Sequence, residues 1–176
     1  MNINNSIHQI KYELLEKYNY DFFKNCLEKI EILTGFKWEK ENYKIYLFEG
    51  NFVNISYPIC INISSKNINY ILFNIIHELV HNNISNLWIF EDENQISYDP
   101  IDAEAIVNLI ADKILSEYFN QNELNKIYMA KKGGGGNFSY KYVWKRVIEL
   151  KSKVDLNKIT LRYYVKNNEK YKIENE

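Results

Sequence analysis

The stretch NINYILFNIIHELVHNNIS, from Asn67 to Ser85, contains two of the three histidines of the chain. Its apolar residues fall on nearly every side of a helix, which predicts a helix that is buried over most of its surface. One polar stripe interrupts this pattern, and it consists of Asn74, His77, Glu78 and His81. Residues three, four and seven positions apart share one helix face, so these four side chains are expected to point to one place.

This polar stripe has the residue types of a zinc site. A buried polar group without a partner costs on the order of 1–3 kcal/mol, and a divalent ion would remove that cost. Two neutral imidazoles one helical turn apart can both reach a metal at roughly 2.0–2.1 Å. Glu78 follows the first histidine and is placed to take a proton from a water molecule rather than to bind the metal. The HExxH spacing therefore predicts His77 and His81 as ligands and Glu78 as general base.

A catalytic zinc site needs a third protein ligand besides two histidines. Glu104 lies 23 positions beyond His81 (104 − 81), which leaves room for a loop and a returning helix. Asp102 is the rival ligand, although it falls in the first turn of the second predicted helix, where a carboxylate commonly stabilises the helix itself. His8, the remaining histidine, lies near the N-terminus on a helix with its own apolar face, which favours a surface position.

The helix that carries Glu104 offers a supporting residue. Asn108 stands one turn beyond Glu104 and is suited to hydrogen-bond the free ring nitrogen of a ligand histidine, which would fix the tautomer of that ring. Small residues at Ala105 and Ala111 would let the two predicted helices pack closely.

Together the segments HELVH (77–81) and EAIVNLIA (104–111) resemble the gluzincin metallopeptidases, and they are most similar to the ImmA/IrrE-like group. The resemblance spans about Ile59 to Leu115. It implies a small zincin-like fold that holds Zn²⁺ and hydrolyses peptide bonds in a peptide or protein substrate. It implies that His77, His81 and Glu104 are the metal ligands. It also implies that Glu78 is the general base and that Asn108 supports the ligands.

The resemblance also implies a place for the substrate. In this interpretation the strand with Ile59, Ile61 and Ile63 is an edge strand, and an extended peptide pairs with its backbone. The start of this strand beside Pro58 suits a sheet edge as well, because proline is tolerated there.

The order of predicted elements gives an α+β fold, with about three strands packed on the active-site helix and a mostly helical C-terminal half. Ser6 to Thr34 is predicted as one long helix or two short ones, ended by Gly35. The predicted strands are Tyr43–Phe48, Phe52–Ser56 and Ile59–Ser64, and a turn at Glu49–Asn51 joins the first two as a hairpin.

Beyond the motif helix, Asp99 and Pro100 are typical of a helix start, and this helix is predicted to reach about Phe119 or to continue to Ala130. The glycine run at 133–136 predicts a flexible break, Tyr140–Lys153 a further helix, and the charged tail after Asn167 a frayed end. We interpret the chain as one domain, 1–176. Its parts are an N-terminal helix and sheet (1–66), metal-binding helices (67–130) and a C-terminal helical part (137–176).

Composition narrows the classes of protein. The chain is 46% hydrophobic and 26% charged with a net charge of −1, which is typical of a globular protein and does not favour nucleic acid as a partner. No segment has the apolar core of a signal peptide or the roughly 20 apolar residues of a membrane span, so a cytoplasmic location is expected. Cys26 and Cys60 lie far apart without metal-ligand spacing and are interpreted as reduced thiols.

Three functions are compatible with these patterns. The first is a zinc peptidase, the second a zinc-binding regulatory or interaction module with little or no catalysis, and the third a helical interaction protein with a fortuitous motif. The second is suggested because larger gluzincins use a downstream histidine to stabilise the oxyanion, and this sequence has none after His81. The residues that could replace it are Tyr98, Tyr140, Tyr142, Arg146, Arg162, Tyr163 and Tyr164.

Overall fold

A computed structural model describes residues 3–38, 42–84, 100–131 and 140–167 of the chain. These ranges form a mixed α+β structure that is mostly helical, as the sequence predicted. The elements in chain order are α1 (Ile3–Lys17), α2 (Tyr20–Thr34), β1 (Ile45–Phe48), β2 (Ile55–Ser56), β3 (Ile59–Asn62), α3 (Ile68–Asn83), α4 (Pro100–Leu115), α5 (Gln121–Lys131), α6 (Tyr140–Lys153) and α7 (Leu161–Lys166).

The N-terminal periodic segment forms two helices rather than one. Asn19 separates them, because its side-chain oxygen accepts a hydrogen bond from the Phe22 amide at 2.9 Å and so caps the start of α2. Gly35 ends α2 in the left-handed conformation with φ of +79°, and its amide donates to the Glu31 carbonyl. The predicted stop at Gly35 is confirmed.

Gly35 also lies against the start of α7. A Cβ atom at this position would come within 2.9 Å of Thr160 Oγ1, and Thr160 is the residue that caps α7. We expect Gly35→Ala to lower the free energy of unfolding by about 1–3 kcal/mol, because the alanine would add positive-φ strain and steric overlap. Urea unfolding would measure this loss, and an unchanged midpoint at an unchanged slope would contradict it.

The three strands form one sheet in the order β1-β3-β2. β3 is the central strand: it pairs in parallel with β1, where Ile45 faces Ile59, and antiparallel with β2, where Ser56 faces Ile59. The predicted hairpin between the first two strands is therefore wrong, because these strands are not neighbours. All three strands are also shorter than predicted.

The central position of β3 corrects a second prediction. Ile59, Ile61 and Ile63 are buried, and the backbone of β3 is paired on both sides, so this strand is not an edge and cannot take an added peptide strand. The most buried of the three strands lies in the middle of the sheet, where side chains are best removed from water. The described edge strand that packs against α3 is β2.

Helix α3 lies at the centre of the molecule and contacts α1, α2, α4, α5, β2 and β3. Asn67 caps it by accepting a hydrogen bond from the Tyr70 amide at 3.1 Å. Its residues are buried from Ile71 to Val80, which confirms the predicted buried helix. Among the described residues, no helix combines the length and apolarity required to cross a membrane.

Helix α4 ends at Leu115, earlier than predicted, and α5 is a separate helix. Asn120 and Glu123 explain the break. The Asn120 side chain accepts from the Glu123 amide at 3.1 Å, and the Glu123 carboxylate accepts from the Asn120 amide at 3.0 Å. This reciprocal pair is a capping box, which starts a new helix.

Helix α6 has the predicted bounds, Tyr140–Lys153, and it packs mainly on α4. Two ion pairs join these helices: Arg146 Nε donates to Asp102 Oδ1 at 2.6 Å, and Lys151 pairs with Asp112. The predicted cap at Asp99, the glycine run at 133–136 and the tail after Asn167 lie outside the described residues.

Candidate metal centre

His77 and His81 stand one turn apart on α3 and bring two ring nitrogens together. Their Nε2 atoms are 3.1 Å apart, and the ring centroids are 4.7 Å apart. His77 is buried and His81 partly buried, so the pair lies at the boundary between the core and an accessible face. This is the arrangement that the spacing of four residues predicts.

Glu104 on α4 meets both rings. Its Oε1 lies 3.0 Å from His81 Nε2, and its Oε2 lies 3.4 Å from His77 Nε2. Helix α4 packs on α3, and its small residues Ala105 and Ala111 are fully buried. The sequence-based choice of Glu104 thus corresponds to the carboxylate that the fold brings beside the two histidines.

The spacing of these donor atoms fits a tetrahedral metal. Ligand atoms at roughly 2.0–2.1 Å from a tetrahedral zinc lie about 3.3–3.4 Å from one another. The two histidine Nε2 atoms are 3.1 Å apart, Glu104 Oε1 lies 3.0 Å from His81 Nε2, and the other carboxylate oxygen, Oε2, lies 3.4 Å from His77 Nε2. Two imidazole nitrogens and a carboxylate oxygen are also the donor types that zinc prefers. Among the described residues, the cluster of groups able to hold a metal consists of His77, His81 and Glu104.

The electrostatic state of Glu104 suits a ligand. Burial raises the pKa of this carboxyl, but hydrogen bonds from His77 and His81 outweigh the burial and hold the pKa well below its usual range. The carboxylate is consequently ionised across the physiological range, as a metal ligand must be.

Glu78 occupies the predicted position for a general base. It follows His77 directly, it is 6% exposed, and it is not part of the three-residue cluster of ligand groups. Glu78 is thus a buried carboxyl next to a candidate ligand in the chain, and its role as general base stays a prediction.

Asn108 supports the helix turn that carries Glu104. Its Nδ2 donates to the Glu104 carbonyl at 2.6 Å, and the residue is buried. This bond stabilises the backbone beneath the carboxylate. The predicted hydrogen bond from Asn108 to a ligand imidazole stays a prediction.

The rival ligands lie elsewhere. Asp102 is 2% exposed and forms its ion pair with Arg146, away from the cluster of donor groups. His8 is an exposed residue of α1. Cys26 is buried and Cys60 partly buried, and both are free thiols. Of these groups, Glu104 is the one that the described structure places beside both His77 and His81, and its role as a metal ligand stays a prediction.

The described tyrosines and arginines that could stabilise an oxyanion lie in different surroundings. Arg146 is paired with Asp102, and the Arg162 guanidinium lies 5.2 Å from the centre of the Phe36 ring. Tyr164 packs against the core, whereas Tyr142 and Tyr163 are exposed. Tyr98 and the side chain of Tyr140 lie outside the described residues. These positions assign no oxyanion donor.

Sequence reasoning missed two asparagines that anchor the motif helix. Asn82 Nδ2 donates to the Ser56 carbonyl of β2 at 3.0 Å. Asn83 Nδ2 donates to the Phe36 carbonyl at 3.2 Å, and Asn83 Oδ1 accepts from Thr34 Oγ1 at 2.6 Å. The signal was two successive asparagines at the end of a buried helix, where polar side chains must find partners. They fix the end of α3 directly after His81.

Comparisons with protein-family models, curated proteins and solved structures find no match for this chain.

Proposed function

We propose that this chain is a small zinc-dependent peptidase with a zincin-like fold and a gluzincin-type centre, similar to the ImmA/IrrE-like group. One observation carries the proposal: two imidazole nitrogens and a carboxylate converge at 3.0–3.4 Å beside a buried glutamate that is not a ligand. The placement of the paired histidines on a buried helix, beside a small sheet, supports the same class of protein.

In this proposal His77, His81 and Glu104 hold the ion. A bound Zn²⁺ supplies Lewis-acid polarisation of the scissile carbonyl and makes a water molecule more acidic. Glu78 accepts the proton of the attacking water and later donates it to the leaving amine, so one carboxylate serves both halves of the hydrolysis. The burial of Glu78 keeps competing water from this proton transfer.

The substrate in this proposal is an extended peptide, and we place it along β2 rather than β3. Strand β2 is a described edge of the sheet, and Asn82, next to His81, bonds its Ser56 carbonyl. Backbone pairing at such an edge would hold a peptide beside the metal centre. Exposed apolar side chains around this strand, Phe52, Val53, Ile55 and Tyr57, favour apolar residues in the substrate.

A zinc-binding module without catalysis is the second candidate. The engagement of Arg146 with Asp102 favours it, because this guanidinium is then a poor source of an oxyanion donor. The peptidase and the zinc-binding module require the same metal centre. They differ in the role of Glu78, because only the peptidase uses this residue for proton transfer.

The metal is the first quantity to measure. We expect the purified protein to hold about one zinc per chain, and His81→Ala or Glu104→Ala to weaken zinc binding by at least about 100-fold, because each removes one of three ligands. His8→Ala is the matched control and should retain the zinc, since His8 is an exposed histidine outside the centre. Elemental analysis and anomalous scattering at the zinc edge would measure occupancy and location. Protein purified in zinc-containing buffer that carries no metal would refute the proposal.

A further inference from the structure

Asn74 is a buried polar residue that has no role in the proposed metal binding or hydrolysis. It lies on α3 one turn before His77, on the same polar stripe, and is 2% exposed. Its side-chain oxygen Oδ1 accepts no hydrogen bond within the described structure. A buried acceptor without a donor costs on the order of 1–3 kcal/mol. Folded proteins leave few buried polar groups of this kind unpaired, so this oxygen needs an explanation.

The orientation of the His77 ring points to a donor for this oxygen. Nε2 of His77 is the nitrogen that faces His81 and Glu104, at 3.1 and 3.4 Å. Helical side chains lean toward the preceding turn, and the His77 ring stacks on Phe73, with centroids 6.0 Å apart and an interplanar angle of 28°. The ring therefore lies toward the preceding turn of α3, which carries Phe73 and Asn74, and its other nitrogen, Nδ1, is buried.

We propose that Asn74 is a positioning residue of the metal centre, and that its Oδ1 accepts a hydrogen bond from Nδ1–H of His77 when a metal is bound at Nε2. This inference rests on the proposed zinc site. A neutral imidazole carries one ring proton, and a metal at Nε2 requires this proton to be on Nδ1. When a metal is bound, Nδ1 of His77 therefore carries a proton and needs a hydrogen-bond acceptor in the protein interior. The side-chain oxygen of Asn74, one turn away, is such an acceptor.

This hydrogen bond would fix both the tautomer and the direction of the His77 ring. It differs from the support expected of Asn108, whose Nδ2 bonds the Glu104 backbone. Loss of an outer partner of a ligand histidine typically weakens metal binding by about 10–100-fold. Asn74→Leu, which keeps the side-chain size and removes the acceptor, should have an effect in this range.

The experiment compares zinc affinity, measured by competition with a chromophoric chelator, in wild type, Asn74→Leu and Asn74→Asp. We expect a loss of about 10–100-fold in Asn74→Leu and affinity near that of wild type in Asn74→Asp, which restores an acceptor oxygen. Asn69→Leu is the matched control. Asn69 is a partly buried asparagine on the same helix, but it lies at the far end from His81 and accepts from Lys17 and Tyr18 rather than the centre. This control should keep its zinc affinity.

A crystal structure of the zinc-loaded wild type provides a direct measurement that does not depend on how the variants fold. A distance of about 2.7–3.2 Å between His77 Nδ1 and Asn74 Oδ1 is expected, and a distance above about 4 Å would overturn the inference. Zinc binding by Asn74→Leu equal to that of wild type would also overturn it, and would leave the zinc site intact. Absence of zinc from the wild type would instead refute the proposed function, and the role of Asn74 with it.

Discussion

Glu78→Gln is expected to retain its zinc and to lose peptide hydrolysis by about 10²–10⁴-fold, the usual contribution of a general base. Glutamine has the size of glutamate and keeps its hydrogen-bonding shape, but it cannot accept the proton of the attacking water. Zinc content should not change, because Glu78 is not part of the cluster formed by His77, His81 and Glu104. The measurement pairs elemental analysis of each preparation with cleavage of a diverse peptide mixture followed by mass spectrometry.

Two further variants make this result specific. Glu104→Gln should lose zinc and hydrolysis together, whereas Glu78→Asp should keep zinc and part of the hydrolysis, because its carboxylate is one methylene shorter. If zinc-loaded Glu78→Gln cleaved peptides as fast as the wild type, the peptidase proposal would fail. If neither protein cleaved any peptide, the result would favour the zinc-binding module.

Arg146→Met is expected to produce the largest loss of stability. The Arg146 Nε–Asp102 Oδ1 distance is 2.6 Å, and both side chains are largely buried. Removal of one partner from a buried ion pair typically costs about 3–5 kcal/mol, because the other charge stays buried. For a chain of this size such a loss lowers the midpoint of thermal unfolding by about 6–20 °C. Calorimetry would measure it.

Glu149→Gln is the matched control for this variant. Glu149 also accepts from Arg146, at 2.9 Å, but its side chain is solvent-accessible, so its removal should leave the midpoint nearly unchanged. The double variant Asp102→Leu with Arg146→Met should recover most of the lost stability, since it leaves no buried charge. An unfolding midpoint of Arg146→Met equal to that of the wild type would contradict the assignment of this ion pair to the stability of the α4–α6 interface.

The helices and the convergence of His77, His81 and Glu104 could be predicted because their signals are local. Gly35 ends α2 at the predicted place, and Asn67, where the helical pattern of the motif segment begins, caps α3. His77 and His81 are fixed relative to each other by one helical turn, so their convergence follows from spacing alone. Glu104 required only that a second helix return alongside the first.

The strand order could not be predicted because its signals are not local. The turn residues at Glu49–Asn51 indicate a hairpin between β1 and β2, but β3 lies between these strands in the sheet. Each of the three short strands could occupy the centre of the sheet. Burial against α3 decides which strand does so, and the sequence of a single strand does not reveal this burial. Asn82 and Asn83 were missed for the same reason, because their partners, Ser56, Phe36 and Thr34, are distant in sequence.

The groups of the candidate metal centre are divided between two helices, α3 and α4, so a bound ion would connect these helices. An ion held by His81 and Glu104 would tie together points 23 positions apart (104 − 81) and act as a reversible cross-link. A chelator would cut this cross-link without breaking a covalent bond, and the packing of α4 on α3 would then depend on side-chain contacts alone. Resistance to proteolysis should consequently rise and fall with the zinc supply.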